Sequence, residues 1–124
     1  MPCVDVVVRA LRGRGLRLAI ASSAVSDEID EILRRLKIRD AFELIVDGAQ
    51  VARAKPDPEA YLVAARQLGV APERCIVFED SHVGVAAAKR AGAYCVAVRN
   101  QHAHFPQDLS AADEVLESMC EFRL

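Results

Sequence analysis

The segment from Cys75 to Val98 constrains the fold more than any other part of the chain. Two short apolar runs, Cys75-Ile76-Val77-Phe78 and Ala93–Val98, flank a small-residue stretch, His82–Ala91, that Gly92 stops. Ser81 stands where a helix N-cap belongs, and Gly92 where a helix ends in the left-handed conformation. Strand, helix and strand in this order lead to parallel pairing through a right-handed crossover. Neither apolar run alternates with polar residues, which fits strands buried on both faces.

The remaining sequence continues the alternation. Val4, Val7, Val8 and Leu11 recur at helical spacing, with Arg9, Arg12 and Arg14 off the stripe and Gly13 and Gly15 at the end. The run Val6-Val7-Val8 also admits a strand. Leu16–Ala21 is β-like and closes at Ser22-Ser23. Ser26 is expected to cap a helix with Asp27 and Glu28 in its first turn and Arg34, Arg35 and Lys37 at its end, an order that suits the helix dipole. A strand is expected over Phe42–Val46. A polar loop follows, in which Pro56 and Pro58 exclude regular helix before Glu59. A helix over Glu59–Leu68 ends at Gly69. Beyond the polar stretch Arg99–Ser110, the tail to Phe122 reads as a short extended piece and a helical turn or two. The predicted class is α/β: three layers, with a mostly parallel sheet and helices on both faces.

At 124 residues the chain is one domain, 1–124, with no internal repeat. Its formal net charge of -2 and pI near 5.9 argue against a nucleic-acid partner and against a polybasic membrane surface. The longest run free of Asp, Glu, Lys and Arg, Leu18–Ser26, is far short of the ~20 apolar residues that span a bilayer. The start, Met1-Pro2-Cys3-Val4-Asp5, lacks a basic region followed by an apolar one, so a cytoplasmic setting is expected. Cys3, Cys75, Cys95 and Cys120 show no zinc-ligand spacing, and Cys75 and Cys95 read as buried, reduced core thiols.

In parallel sheets ligands bind at the carboxyl ends of the strands. Three polar clusters fall there: Ser22-Ser23, the loop carrying Lys55, and Glu79-Asp80-Ser81. Adjacent carboxylates supply the oxygen ligands that Mg²⁺ takes while keeping several waters. A lysine is a point cation for phosphate, and a hydroxyl followed by backbone N–H groups adds donors. Each signal alone is weak, since an acidic pair at a strand end is usually a cap or surface feature. Their order and spacing together are specific.

With those residues in place, the chain resembles the haloacid dehalogenase-like hydrolases, nearest their phosphoglycolate-phosphatase and beta-phosphoglucomutase-like branch. The resemblance runs from about Met1 to Asp113. Leu18-Ala19-Ile20-Ala21-Ser22 looks like the family's second motif, Ala54-Lys55-Pro56-Asp57-Pro58-Glu59 like the third, and Val77–Gly92, with Glu79-Asp80, like the acidic fourth. The resemblance implies phosphate binding by Ser22, Ser23 and Lys55, and Mg²⁺ binding by Asp80 helped by Glu79. It implies a Mg²⁺-dependent phosphomonoester hydrolase or phosphosugar mutase acting on a small phosphorylated metabolite.

One departure matters. Relatives open with a strand ending in Asp-x-Asp, the nucleophile and the general acid/base, and this sequence contains no Asp-x-Asp. Met1-Pro2-Cys3-Val4 resembles the Pro-Gly-Val segment that follows the cap domain in relatives. A partial core without nucleophile strand or cap is therefore expected, inactive alone, binding Mg²⁺ weakly, and needing completion by an N-terminal segment. The alternative is a non-catalytic phosphate- or metal-binding or protein-interaction module on the same fold. A receiver-like signalling domain would need a separate phosphoacceptor Asp that the sequence does not offer. Asp47, Asp5 and the pair Asp57/Glu59 are poor substitutes for the nucleophile by position. His102 and His104 could share one side of an extended segment, but no third ligand supports a metal there, and His82 reads as a local donor.

In relatives the missing strand lies between those that correspond to Leu16–Ala21 and Cys75–Phe78. Three outcomes satisfy the exposed edges. The two strands pair directly, Val4–Val8 fills in as a strand, or two chains form a homodimer through the open edges. Direct pairing is ranked first.

Overall fold

The computed structural model describes residues 2–100 and 106–124. Helix α1 (Val4–Gly13) is followed by strand β1 (Ala19–Ala21), helix α2 (Ser26–Arg35) and strand β2 (Leu44–Val46). Then come α3 (Glu59–Leu68), β3 (Ile76–Glu79), α4 (His82–Ala91), β4 (Tyr94–Val98) and β5 (Glu114–Leu116). Short 3₁₀ turns lie at Arg39–Ala41, Gly48–Gln50, Pro72–Arg74 and Met119–Glu121. Among the described residues all three strand pairings are parallel, with β1 on β2, β3 on β4 and β4 on β5. His102 and His104 lie outside the described residues. No described helix is long and apolar enough to cross a membrane.

Helices cover both faces. Val85 and Ala88 of α4 pack on Val77, Cys95 and Ala97, while Phe78 and Val98, one residue on in each strand, meet Val7 and Leu11 of α1. That is the period-two alternation of a sheet with two buried faces. Val8 of α1 joins Ile29 and Leu33 of α2 over Leu18, Ile20 and Ile45, and α3 lies against β1, β2 and α4. The three layers are α1 and α2, the strands, and α3 and α4.

Local chemistry explains the boundaries. Ser81 accepts from the Gly84 N–H and caps α4, and Gly92 closes it with φ at +91°. Ser26 does not cap α2. Extended Val25 takes the cap position, and the Ser26 hydroxyl donates across to the Asp47 carboxylate. The first strand begins at Ala19 rather than Leu16. Leu16 is exposed, and Arg17 turns outward to Glu43 and the Leu68 carbonyl. The second begins at Leu44, because Arg39–Ala41 winds into a 3₁₀ turn directly before Phe42. The sequence reading missed a disulfide between Cys3 and Cys120, 117 residues apart. Among the other two cysteines Cys95 is buried, as expected, while Cys75 is only half-buried.

The strand order corrects the ranking of outcomes. β1 and β3 do not pair, and Val4–Val8 is helical rather than a filling strand. Among the described residues the sheet is split in two, β1-β2 and β3-β4-β5, with no strand between β1 and β3. Side-chain volume accounts for the separation. Leu18, just before β1, and Phe78 of β3 pack into one cluster with Val7, Leu11, Val98, Met119 and Phe122. The Phe122 ring stands edge-on to Phe78 with centroids 4.9 Å apart. On the opposite face α3 rests on α4. Closing the strands to the ~4.8 Å spacing of a ladder would require that cluster to repack.

Candidate active site

The carboxyl ends of β1 and β3 meet at Lys55. Its loop is braced at both ends: Asp57 accepts from the Glu59 N–H at the start of α3, and Arg90 of α4 donates to the Pro56 carbonyl. The Lys55 ammonium makes three contacts: 3.2 Å to the Ala21 carbonyl at the end of β1, 3.0 Å to the Tyr61 hydroxyl, and 2.6 Å to Glu79 Oε2 at the end of β3. It also lies 4.7 Å from the centroid of the Tyr61 ring. The side chains of Lys55 and Glu79 are only 18% and 8% exposed.

Tyr61 completes the cluster. Its hydroxyl donates to the same Glu79 Oε2. Burial, then the Glu79 charge, raise the pKa of that hydroxyl, which keeps it a neutral donor. Glu79 rests against Gly84 in the first turn of α4, where any Cβ would overlap its carboxylate. A glycine inside a helix is disfavoured by about 1 kcal/mol relative to alanine, and here it makes room for a charge.

The other expected residues border this centre. The Ser22 N–H donates to the Val46 carbonyl, and its Oγ accepts from the Ala24 N–H at 3.1 Å. Its O–H stays able to donate. Ser23 is exposed, and its carbonyl is packed so closely on Gly48 that a Cβ there would sit 2.6 Å away. Asp80 follows Glu79 out of the strand and accepts from Asn100 Nδ2 at 3.2 Å. The structure thus brings Glu79 and the end of β1 to the Lys55 ammonium, while Ser22 and Asp80 are the residues that follow Ala21 and Glu79 in the chain. The His82 backbone N–H donates to Gln107. Asp47 is a structural cap: it accepts from the Ala49 N–H and the Ser26 hydroxyl, and its own N–H donates to Gln50 Oε1.

The carboxylates of Glu79 and Asp80 are hard oxygen donors of the kind Mg²⁺ takes. Among the described residues no group of three or more His, Cys, Asp and Glu converges as a metal site. Asp80 is the carboxylate that would hold a Mg²⁺ together with waters, and Glu79 would join it only on leaving Lys55. Tyr61 and Asn100 were not foreseen. Tyr61 reads as one more apolar residue of α3, and Asn100 carries no signal beyond its place at a strand end.

The comparisons with known proteins bear on the family and the fold. The family model for haloacid dehalogenase-like hydrolases matches residues 2–92. The chain is 44% identical over 91 residues to a phosphorylated carbohydrates phosphatase of Thermotoga maritima, covering 73% of this chain and 42% of the relative. It is 39% identical over 98 residues to the beta-phosphoglucomutase of Bacillus subtilis, covering 79% and 42%. The crystal structure of CbbY from Rhodobacter sphaeroides in complex with phosphate superposes with a TM-score of 0.89 at 32% identity, covering 97% of this chain and 54% of that one. The chain thus spans about half the length of the relatives it matches. Family model, relatives and fold converge: the chain belongs to the haloacid dehalogenase-like hydrolases.

Proposed function

We propose that this chain carries the phosphate- and cation-binding half of a phosphomonoester hydrolase or phosphosugar mutase site. The observation that carries the reading is the single ammonium of Lys55, which joins the ends of β1 and β3, the strand ends that Ser22 and Asp80 follow in the chain. In this reading Lys55 neutralises a phosphoryl oxygen, the Ser22 hydroxyl donates to a second, and Ser23 lies at the mouth. Asp80, joined by Glu79, holds Mg²⁺, which lowers the charge of the phosphoryl group when bound. The substrate is a small phosphorylated metabolite, a class supported by the carbohydrate-phosphate chemistry in the names of the relatives.

The nucleophile is absent. No Asp-x-Asp occurs in the sequence, and Asp47 is committed to its cap. β1 and β3 do not pair among the described residues, and an extended segment running between them and ending in those acids would bring them to Lys55. Standing alone, the chain binds phosphate and cation without turning over. The test is an aryl phosphatase assay on the purified chain with Mg²⁺, alone and with a synthetic strand segment ending in Asp-x-Asp. No turnover is expected from the chain alone. Mg²⁺-dependent turnover that Asp80→Asn abolishes would refute this and return the search to a nucleophile within the chain.

A further inference from the structure

The ammonium of Lys55 is already full. An ammonium has three N–H donors and no acceptor. Here three acceptors surround it: the Ala21 carbonyl, the Tyr61 hydroxyl and Glu79 Oε2. Of the three, only Glu79 is charged, and it makes the shortest contact at 2.6 Å. The Tyr61 hydroxyl donates to that same oxygen, so both groups hold the carboxylate against the lysine. A phosphate arriving at Lys55 must take a donor from one of these partners.

We propose that Lys55, Glu79 and Tyr61 form a charge lock, in which Glu79 blocks the phosphate-binding ammonium until a divalent cation draws that carboxylate away. The inference rests on the phosphate-binding reading of Lys55 given above, and adds how access to that site is controlled.

The electrostatics follow from which group each ligand strands. Phosphate alone, taking Lys55, leaves Glu79 with an uncompensated charge on a side chain only 8% exposed. Stranding a buried charge in this way is strongly unfavourable. A divalent cation alone, taking Glu79 with the neighbouring Asp80, leaves Lys55 with two neutral acceptors and no counterion. The two ligands together satisfy every group. Without ligands the cluster carries two negative charges, Glu79 and Asp80, and one positive, Lys55. A phosphate dianion on its own makes the local charge more negative, whereas the dianion and a divalent cation together leave it unchanged. Each ligand therefore raises affinity for the other, and linkage requires the factor to be the same in both directions. Tyr61 is a positioning residue here: it touches neither ligand and fixes Glu79 where it obstructs.

The test is calorimetric titration of inorganic phosphate into the purified chain, with and without saturating Mg²⁺, and of Mg²⁺ with and without phosphate. Mg²⁺ is expected to tighten phosphate by about tenfold or more, and phosphate to tighten Mg²⁺ by the same factor. The decisive comparison is made without metal. Glu79→Gln and Asp80→Asn each remove one negative charge, but only the first unlocks Lys55. Metal-free phosphate affinity should rise about tenfold in Glu79→Gln and less than about threefold in Asp80→Asn. Lys55→Met should abolish phosphate binding in every condition. Equal effects of the two carboxylate variants, or phosphate binding that Lys55→Met abolishes but Mg²⁺ leaves unmoved, would overturn the lock alone. Phosphate binding in none of the proteins would overturn the site reading and the lock with it. The Mg²⁺ and phosphate reciprocity in the unmodified chain stands as a measurement that needs no variant to fold.

Discussion

Removing one member of the Lys55–Glu79 pair should cost more than removing both in proportion, and a double-mutant cycle measures the difference. Lys55→Met deletes the cation and leaves Glu79 with the Tyr61 hydroxyl as its remaining donor. Breaking a fully buried pair costs about 3–5 kcal/mol. Lys55 is 18% exposed and Tyr61 stays in place, which places this variant at or just below the lower end of that range, about 2–3 kcal/mol. Glu79→Gln keeps the volume and a carbonyl acceptor, and its loss is that of a charged hydrogen bond, about 1.5–3 kcal/mol. In the double variant no charge is stranded, so its loss should fall short of the sum by at least about 1 kcal/mol. The assay is equilibrium urea unfolding with the disulfide intact. With a slope of roughly 1–3 kcal/mol per molar, the Lys55→Met midpoint should fall by about 0.7–3 M. Single losses that add to within about 0.5 kcal/mol would refute the argument, because an ion pair sharing one carboxylate oxygen cannot behave as two independent sites.

Further expectations concern other parts of the molecule. Reducing the Cys3–Cys120 bridge frees a 117-residue loop, worth about 5 kcal/mol on the chain-entropy account, so dithiothreitol should lower the Tm sharply and should do nothing to a Cys3→Ser/Cys120→Ser chain. Gly48→Ala places a Cβ 2.6 Å from the Ser23 carbonyl and should destabilise by about 1–3 kcal/mol in urea, with weaker phosphate binding, since the Ser22-Ser23 turn must shift. Burial raises the Cys95 thiol to about 11, so between pH 9 and 11 the unfolded chain ionises first and that contribution to stability is lost as pH rises; native labelling at pH 8 should reach Cys75 and spare Cys95. Asp30 bonded to Arg34 and Arg39, Asp47 bonded to Ser26, and Asp113 bonded to the Cys95 N–H and to Lys89 all titrate below the usual carboxylate range, so their contribution is present at neutral pH and disappears as pH falls below about 4, which urea midpoints at pH 7, 5 and 3 would show.

The strand and helix succession was legible because it is written in local signals. Ser81 and Gly92 bracket α4, Gly69 ends α3, and Pro56 with Pro58 delays α3 until Glu59. The polar residues of the site were legible for the same reason, since each stands at a strand end or in the stiffened loop. Their partners were not. Tyr61 meets Glu79 across 18 residues and Asn100 meets Asp80 across 20, and no spacing rule joins those positions. The Cys3–Cys120 bridge is longer-range still and has no motif. Direct pairing of β1 with β3 failed as an expectation because it weighed unpaired backbone edges and gave too little weight to volume. Leu18, Phe78 and Phe122 fill the space on one face, and close-packed side chains do not collapse to admit a new ladder.

That volume explains why the site keeps its shape although its sheet is split. In a parallel fold each connection passes over a face, so the loops at the carboxyl ends are placed by the helix layer as much as by strand pairing. Lys55 leaves the loop just before α3, which packs on β1 and β2, and reaches Glu79 on the strand that leads into α4. The contact between α3 and α4, with the bond from Arg90 to the Pro56 carbonyl, therefore sets the distance from Lys55 to the end of β3. On the other face the cluster around Phe78 sets the separation of the strands. The two constraints act on opposite faces and meet at the interval between β1 and β3. An extended segment lying parallel in that interval would end beside the Lys55 ammonium, which already bridges the ends of both flanking strands. The placement of Lys55 against the end of β3 is thus fixed by parts of the chain outside that interval, which is what the proposed half-site would need.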